Sequence, residues 1–365
     1  MKNKIALFFC LAFFTFSSFS QQIRPLAKGE EDWRYLNQAK TLFEEGDFGS
    51  SLSMAQKAKQ QRNQEYEWQN YVIENLQKNS NVRKAEDKLN LVYEEVLLLK
   101  NKNAISIFEQ MFSRHGKEYF GNSLEKFMDV LEYDKNYPEA DYLIGKIFAI
   151  EGELESAYTF FNKSYENASR FDVPEMKYDV LYDLALLSSD MQKDNDYEKY
   201  LLLILMDDPF YKDNNYMSLI MSTIGKDEKE SPDKLFSLFR DENVLALKAC
   251  NGLSKFYMKK GQTEKALKCS ALGSIIAYTR IFSYLKENIT GYVPTSFSDI
   301  LEKSAKFEDV IKWGNDNEAW EVFYNLGLSS SMSGKLFFAK SVWTVMAYKC
   351  PEEYWKLSAD NALIK

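Results

Sequence analysis

The chain has 365 residues, 45% of them hydrophobic and 27% charged, which is the composition of a folded protein and not of a disordered one. It contains 15 glycines and 7 prolines, too few for the many tight turns of a β-sandwich or β-barrel of this length. The formal net charge of −8 argues against nucleic acids and anionic lipids as main partners, because phosphate binding requires a basic surface.

The first twenty residues are predicted to be a signal peptide. Lys2 and Lys4 precede an apolar run over 5–16 that is too short to span a membrane, and residues 18–20 read Ser-Phe-Ser, a small-x-small cleavage site. No later apolar run reaches the length of a membrane span. We therefore expect cleavage after about Ser20. Residues 21–365 are then exported, most simply to a bacterial periplasm.

One sequence pattern recurs along the exported part. It consists of a helix with a small residue, a glycine about seven positions later, and a second helix with small or aromatic residues at fixed offsets. The copies are marked, in chain order, by the small residues Ala39, Gly145, Ser188, Ser254 and Gly327. The copy at Ser188 lacks the glycine and carries Tyr200 where the others have a small residue.

The pattern has a physical explanation as a helical hairpin. Two antiparallel helices approach closely where their facing side chains are small, so we expect Gly145 opposite Ala157. Gly152 is expected to end the first helix with a left-handed residue, a conformation that glycine adopts at little cost. Phe161 then fills the seam toward the next pair. A single hairpin cannot bury its apolar faces alone, so several must stack.

These residues and spacings resemble the tetratricopeptide repeat (TPR), a 34-residue unit of two helices. The resemblance implies an all-α fold, a TPR-like α-solenoid in which antiparallel helix pairs form a right-handed superhelix. The copies at Gly145 and Gly327 match best, and helical spacing over 86–112 predicts further helix between the copies. We expect one helical repeat domain over 21–365; a division into two arrays near residue 225 is the alternative.

Residues that could carry chemistry are scarce. His115 is the only histidine, which rules out Ser-His-Asp triads and multi-histidine metal sites, and its place before Gly116 suggests a cation at a helix end. The glycines are dispersed and form no phosphate-binding loop. Residues 190–196 resemble a calcium loop without its glutamate at position twelve, so we interpret them as an interhelical turn. We expect no enzyme activity, no cofactor and no metal site.

Three cysteines remain after the signal peptide: Cys250, Cys269 and Cys350. An odd number cannot pair fully within one chain. Cys250 and Cys269 fall on the two helices of one predicted hairpin, so a disulfide between them is conceivable. We favour three buried thiols.

The TPR resemblance also implies where a partner would bind. In that family, partner peptides contact fixed positions of the first helix of each pair, on the concave face of the solenoid. The matching residues here are Trp33, Leu36, Lys40, Tyr142, Lys146, Asn251, Lys255, Lys259 and Tyr324. Because Lys40, Lys146 and Lys255 occupy the same position of three copies, an acidic or carboxylate-bearing protein segment is the expected partner.

The sequence therefore predicts a non-catalytic scaffold or adaptor of the cell envelope that binds a segment of another protein. A structural subunit of an envelope complex, docked through broad apolar surfaces, is the alternative. An enzyme would require a catalytic domain that no segment supplies. The identity of the partner does not follow from the sequence.

Overall fold

The computed structural model describes residues 27, 29–80, 135–225, 231–240 and 244–364. Within these ranges the regular structure is helical and no β-strand occurs, which confirms the all-α fold class. The predicted signal peptide at 1–20, the helix predicted over 86–112 and His115 lie outside the described residues. The chain divides into two units, 1–136 and 137–365.

In the first unit, two helices form the hairpin predicted around Ala39. Helix α1 (Asp32–Glu44) packs against α2 (Phe48–Ser80). The small residues Ala39, Ala55 and Ala58 are fully buried, as close packing of two backbones requires. Ser51 on α2 donates a hydrogen bond from its Oγ to the Ala39 carbonyl at 2.8 Å, which joins the two helices directly.

The second unit contains the other four predicted hairpins, stacked in chain order. Helices α3 (Pro138–Ile150) and α4 (Leu154–Glu166) form the first, and α5 (Met176–Asp190) and α6 (Asp194–Met206) the second. The third is α10 (Val244–Lys259) with α11 (Thr263–Asn288), and the fourth is α14 (Ala319–Met332) with α15 (Leu336–Lys349). Helix α4 packs on α5, α6 on α10, and both α10 and α11 on α14.

Shorter helices fill the intervals between these hairpins. Helices α7 (Pro209–Lys212), α8 (Asn214–Ser222) and α9 (Asp233–Phe236) precede the third hairpin, and α12 (Phe297–Ser304) and α13 (Glu308–Asp316) precede the fourth. A last helix, α16 (Glu353–Ile364), packs on α15 and α14. One apolar core runs through the unit from Ala157 to Ala359, so the division considered near residue 225 falls inside it.

The five hairpins share one turn geometry. Two residues after the end of each first helix stands a residue with positive φ, namely Gly46, Gly152, Gln192, Gly261 and Gly334. The next amide N–H donates to a carbonyl five residues back at 2.8–2.9 Å, the bond that defines a Schellman cap. The predicted left-handed role of Gly152 is confirmed. The interhelical turn predicted within 190–196 is present at 191–193, with Gln192 in the place of glycine; Asp190 ends α5, and Asp194 and Asp196 lie in the first turn of α6.

Gln192 is therefore a site where a glycine stabilises the protein. A side chain in the left-handed region costs about 1–2 kcal/mol, which the greater flexibility of glycine in the unfolded chain offsets in part. We expect Gln192→Gly to raise the free energy of unfolding by about 0.5–1 kcal/mol, measured by urea unfolding followed by circular dichroism. The reverse change Gly152→Gln serves as control and is expected to destabilise; a Gln192→Gly protein less stable than the wild type contradicts the argument.

The small residues of the first helices make room for aromatic rings. A Cβ built on Gly145 lies 2.5 Å from Cδ1 of Phe161, and one built on Gly327 overlaps the Trp343 indole. Ala157 is also fully buried, but the nearest atoms to Gly145 belong to Phe161. The Phe161 ring of the second helix thus enters the gap that the missing side chain of Gly145 leaves, and the expectation that Gly145 lies opposite Ala157 stays a prediction.

Candidate functional site: the first-helix face of the second unit

The nine residues predicted to contact a partner fall on four helices. Tyr142 and Lys146 lie on α3, Asn251, Lys255 and Lys259 on α10, and Tyr324 on α14, all in the second unit. The other three, Trp33, Leu36 and Lys40, lie on α1 of the first unit.

On α1, two of the three predicted residues are accessible. Trp33 is half exposed and the guanidinium of Arg34 lies 4.7 Å from the centre of its ring, while Lys40 is exposed. Leu36 is only 4% exposed and belongs to the core of the first unit, so its predicted place on a binding surface is wrong. It lies three residues before the buried Ala39 and shares its helix face, which explains the burial.

In the second unit, α3 and α5 meet through a tyrosine and a carboxylate. The Tyr142 hydroxyl donates to Asp183 Oδ2 at 2.7 Å. Lys146 Nζ lies 5.3 Å from the centre of the Tyr142 ring, and its charge, with that of Lys248 on α10, acts on both Asp183 and Asp179. These contacts join the first helices of three successive hairpins.

Burial raises the pKa of Asp183 above its ordinary value, although the Tyr142 hydrogen bond and the charge of Lys146 counteract the rise. Desolvation likewise raises the pKa of Asp179, with Lys146 and Lys248 opposing it. The desolvation of these two carboxylates makes folding less favourable at neutral pH. Titratable groups with shifted pKa values are concentrated at functional sites.

Asn251 connects α10 to α14. Its side chain is fully buried, so it does not line an open groove as predicted, and its role is to organise its neighbours. The Asn251 amide nitrogen donates to Oε2 of Glu318 and to Oε2 of Glu321, both at 2.7 Å, and its Oδ1 accepts from Asn325 at 2.8 Å. Both amide protons and the carbonyl oxygen thus have partners.

Glu318 and Glu321 extend this arrangement to α5 and to the solvent. The Tyr182 hydroxyl of α5 donates to Oε1 of Glu318 at 3.3 Å, and Lys255 Nζ pairs with Oε2 of Glu321 at 3.0 Å. Glu318 precedes α14 with φ 61°, a left-handed conformation that few residues other than glycine adopt. Lys248 Nζ lies 5.9 Å from the centre of the Tyr182 ring. Because the charge of Lys248 also acts on Asp183, which accepts from Tyr142 of α3, this lysine connects the two groups of side chains.

We name this set of side chains the α3–α14 face. Its members stand on the first helices of four stacked hairpins or directly before them, and hydrogen bonds, ion pairs, cation–π contacts and charge interactions link them in one series. They are Tyr142, Lys146, Asp179, Tyr182, Asp183, Lys248, Asn251, Lys255, Glu318, Glu321 and Asn325.

Two predicted residues of the second unit lie outside this set. Lys259 is exposed near the end of α10, where its charge acts on Asp194. The ring of Tyr324 packs 6.1 Å from that of Trp343 and 5.4 Å from that of Trp355 on α16. Tyr324 is partly buried by these contacts, and its predicted role in partner binding stays a prediction.

Sequence reasoning missed the four carboxylates of the α3–α14 face. The copy that contains α5 lacks the repeat glycine, so the resemblance implies no binding positions there and does not point to Asp179 or Asp183. Glu318 and Glu321 have the spacing of neighbours on one helix face, which is a detectable signal. With Lys146, Lys248 and Lys255 opposite these acids, the face is of mixed charge and not the basic strip that the lysines alone suggested.

In the described part of the chain, no group of histidine, cysteine and acidic side chains is arranged to hold a metal ion. Cys250, Cys269 and Cys350 are free and buried, in agreement with the thiol interpretation, and burial raises the pKa of Cys269 and of Cys350 to about 12. None of the described helices combines the length and the apolar character needed to cross a bilayer.

No protein-family model matches the chain. It is 28% identical over 338 residues to an uncharacterized protein of Treponema pallidum (strain Nichols), which covers 91% of this chain and 90% of the relative. The similarity thus runs over most of both chains and not over a single repeat.

The raised pKa of Asp183 has a measurable consequence for stability. A carboxyl group whose pKa is higher in the folded than in the unfolded state stabilises the fold once it is protonated, and this contribution is lost as pH rises through the folded pKa. Between the ordinary pKa of 3.8 and the raised value, the contribution of Asp183 to stability should therefore fall with rising pH. Asp183→Asn keeps an acceptor for Tyr142 without the charge.

We expect Asp183→Asn to be more stable than the wild type at pH 7, with the difference shrinking as pH is lowered toward 4. Thermal unfolding from pH 4 to pH 8 measures this. The groups that face Asp183 are Tyr142, Lys146, Asp179 and Lys248, so Tyr142→Phe is the control that removes the hydrogen bond and keeps the charge. A constant difference across the pH range would show that the Asp183 charge is not the cause.

Proposed function

We propose that this chain is a non-catalytic scaffold of the bacterial cell envelope that binds a segment of a partner protein along the α3–α14 face. The observation that carries the proposal is the line of tyrosine, lysine and carboxylate side chains on the first helices of four stacked hairpins. Their hydrogen bonds fix them to one another, so the surface is organised before a partner arrives. Organisation in advance reduces the entropy cost of binding.

The chemistry of the face suits a polypeptide better than other partners. Lysines that donate to a carboxylate, acids that accept from an amide or pair with a cation, and tyrosine rings that cover apolar groups are the contacts that peptide recognition uses. The net charge of −8 still opposes nucleic acids. Because Lys255 pairs with Glu321 and Lys146 acts on two aspartates, we propose a partner segment of mixed charge in place of a purely acidic one.

Site-specific photocrosslinking in intact cells tests the proposal. A photoreactive residue replaces Lys248 on the α3–α14 face or, as a matched control, Lys199, an exposed lysine of α6. We expect a protein adduct from position 248 that is absent at position 199. The partner, identified by mass spectrometry and purified, should bind Lys248→Ala more weakly than Lys199→Ala. Identical adducts from both positions would contradict binding along this face.

The alternative, a structural subunit that docks through apolar surface, also has an observation in its favour. The last two helices expose a set of large apolar side chains: Leu336, Tyr348, Tyr354, Leu357 and Ile364. Ionic strength separates the two functions, since the screening length falls from about 10 Å at about 0.1 M salt to about 3 Å at about 1 M. Binding through the α3–α14 face should weaken over this range, whereas apolar docking should not.

A further inference from the structure

A polar cleft of the second unit lies between α15 and the segments that begin α9 and α12. Its volume is ≈ 480 Å³, within the range of small-molecule sites. Five hydroxyl side chains line it: Ser231, Ser296, Ser298, Ser341 and Thr344. The cleft shares no residue with the α3–α14 face, so its role can be tested separately from the proposed function.

An anion does not suit this cleft. Asp233 is one of its lining residues, and its carboxylate accepts from the Phe297 amide at 2.7 Å and from the Ser231 hydroxyl at 2.7 Å, so it is held in place. The Asp299 amide at the start of α12 donates to Ser296 Oγ at 3.1 Å. Two amide donors of this helix end are thereby occupied, and the Asp233 charge offsets that of Lys340, the cation among the lining residues.

A purely apolar ligand does not suit it either. The hydroxyl groups and the Asp233 carboxylate would lose water without gaining hydrogen bonds, which is unfavourable. The cleft nevertheless has an apolar side, formed by Val345 and by Phe337, whose side chain is 45% exposed on α15. A ligand that fits must carry hydroxyl groups toward one wall and C–H groups toward a ring.

We infer that this cleft binds a neutral saccharide. Sugar hydroxyls donate and accept as serine and threonine hydroxyls do, and the Asp233 carboxylate supplies a fixed acceptor. The C–H side of a pyranose ring is apolar, and the negative face of an aromatic ring attracts the weakly positive hydrogens of such a surface. Phe337 is placed to provide that contact, and Lys340 donates from the rim.

Saturation-transfer difference NMR on the full chain tests the inference with three neutral probes: maltotriose, cellotriose and triacetylchitotriose. We expect transfer to at least one of them, with an affinity about tenfold weaker in Phe337→Ala and in Thr344→Val. The matched control is Leu336→Ala, since Leu336 is the neighbouring residue on α15, is 54% exposed and lies outside the lining. Circular dichroism of each variant verifies folding.

Two outcomes overturn the saccharide site. One is the absence of transfer to all three probes, and the other is equal transfer in the wild type and in Phe337→Ala. Inorganic phosphate is tested as a fourth probe. If it binds and Lys340→Ala abolishes the binding, the cleft is an anion site and the inference is wrong. None of these results bears on crosslinking at Lys248, so failure here leaves the proposed function standing.

Discussion

Replacing Arg240 by methionine is expected to lower the free energy of unfolding by about 3–5 kcal/mol, because it leaves a buried charge without its partner. Nη2 of Arg240 pairs with Oδ2 of Asp208, and these side chains are 2% and 0% exposed. The other carboxylate oxygen of Asp208 caps α7 by accepting from the Phe210 amide at 2.9 Å and the Tyr211 amide at 3.1 Å. The pair thus joins the two ends of the segment between the second and third hairpins.

A second variant separates the charge from the packing. In the double variant Arg240→Met with Asp208→Ser, serine keeps a cap for α7 while the unpaired carboxylate is gone, so most of the lost stability should return. The exposed pair of Lys177 with Asp207, at 2.7 Å, is the control, and Lys177→Met should cost less than about 1 kcal/mol. Urea unfolding measures all three proteins. An Arg240→Met variant as stable as Lys177→Met would refute the argument.

Asn251→Leu is expected to cost about 3 kcal/mol and to abolish partner binding. The leucine removes both donors that hold Glu318 and Glu321 and the acceptor for Asn325. Two neighbouring carboxylates then lose their common partner, and the link between α10 and α14 opens. Since these acids belong to the proposed binding face, stability and binding should fall together.

The control for Asn251→Leu is Lys255→Met, which removes the exposed partner of Glu321. Because the lysine side chain is 44% exposed, this substitution should lower the free energy of unfolding by less than about 1 kcal/mol. Unfolding in urea measures stability, and crosslinking from position 248 at a temperature where both variants are folded measures binding. If Asn251→Leu still forms the adduct at the wild-type level, the α3–α14 face is not the binding surface.

The hairpins could be predicted from the sequence because their signals are local. A glycine in the left-handed region ends the first helix at Gly46, Gly152, Gly261 and Gly334, and the requirement depends on backbone geometry alone. The turn at Gln192 follows the same geometry without glycine, which is why its copy looked degenerate. What fills the space beside Gly145 depends on ring packing between helices, and spacing along the chain does not encode it.

The candidate site was predictable only in part, for a related reason. Tyr142, Lys146 and Lys255 could be placed on one face from their positions in the repeat. The partners of these residues lie on other helices, and Asp183 and Glu321 come into contact with them only through the stacking of hairpins. Asn251 shows where prediction from repeat position fails. It occupies a position that binds partners in the repeat family, but because it lies between two stacked hairpins its side chain is fully buried.

The turns that connect the two helices of each hairpin also offer places where added sequence can be inserted. A Cβ built on Gly152, Gly261 or Gly334 meets no atom within 4 Å, so these three turns project freely. Exposed tips of this kind tolerate added peptide sequence. An epitope tag or a fluorophore attachment site inserted at Gly152, which lies outside both the α3–α14 face and the lining of the cleft, would report on the location and the neighbours of the protein in living cells.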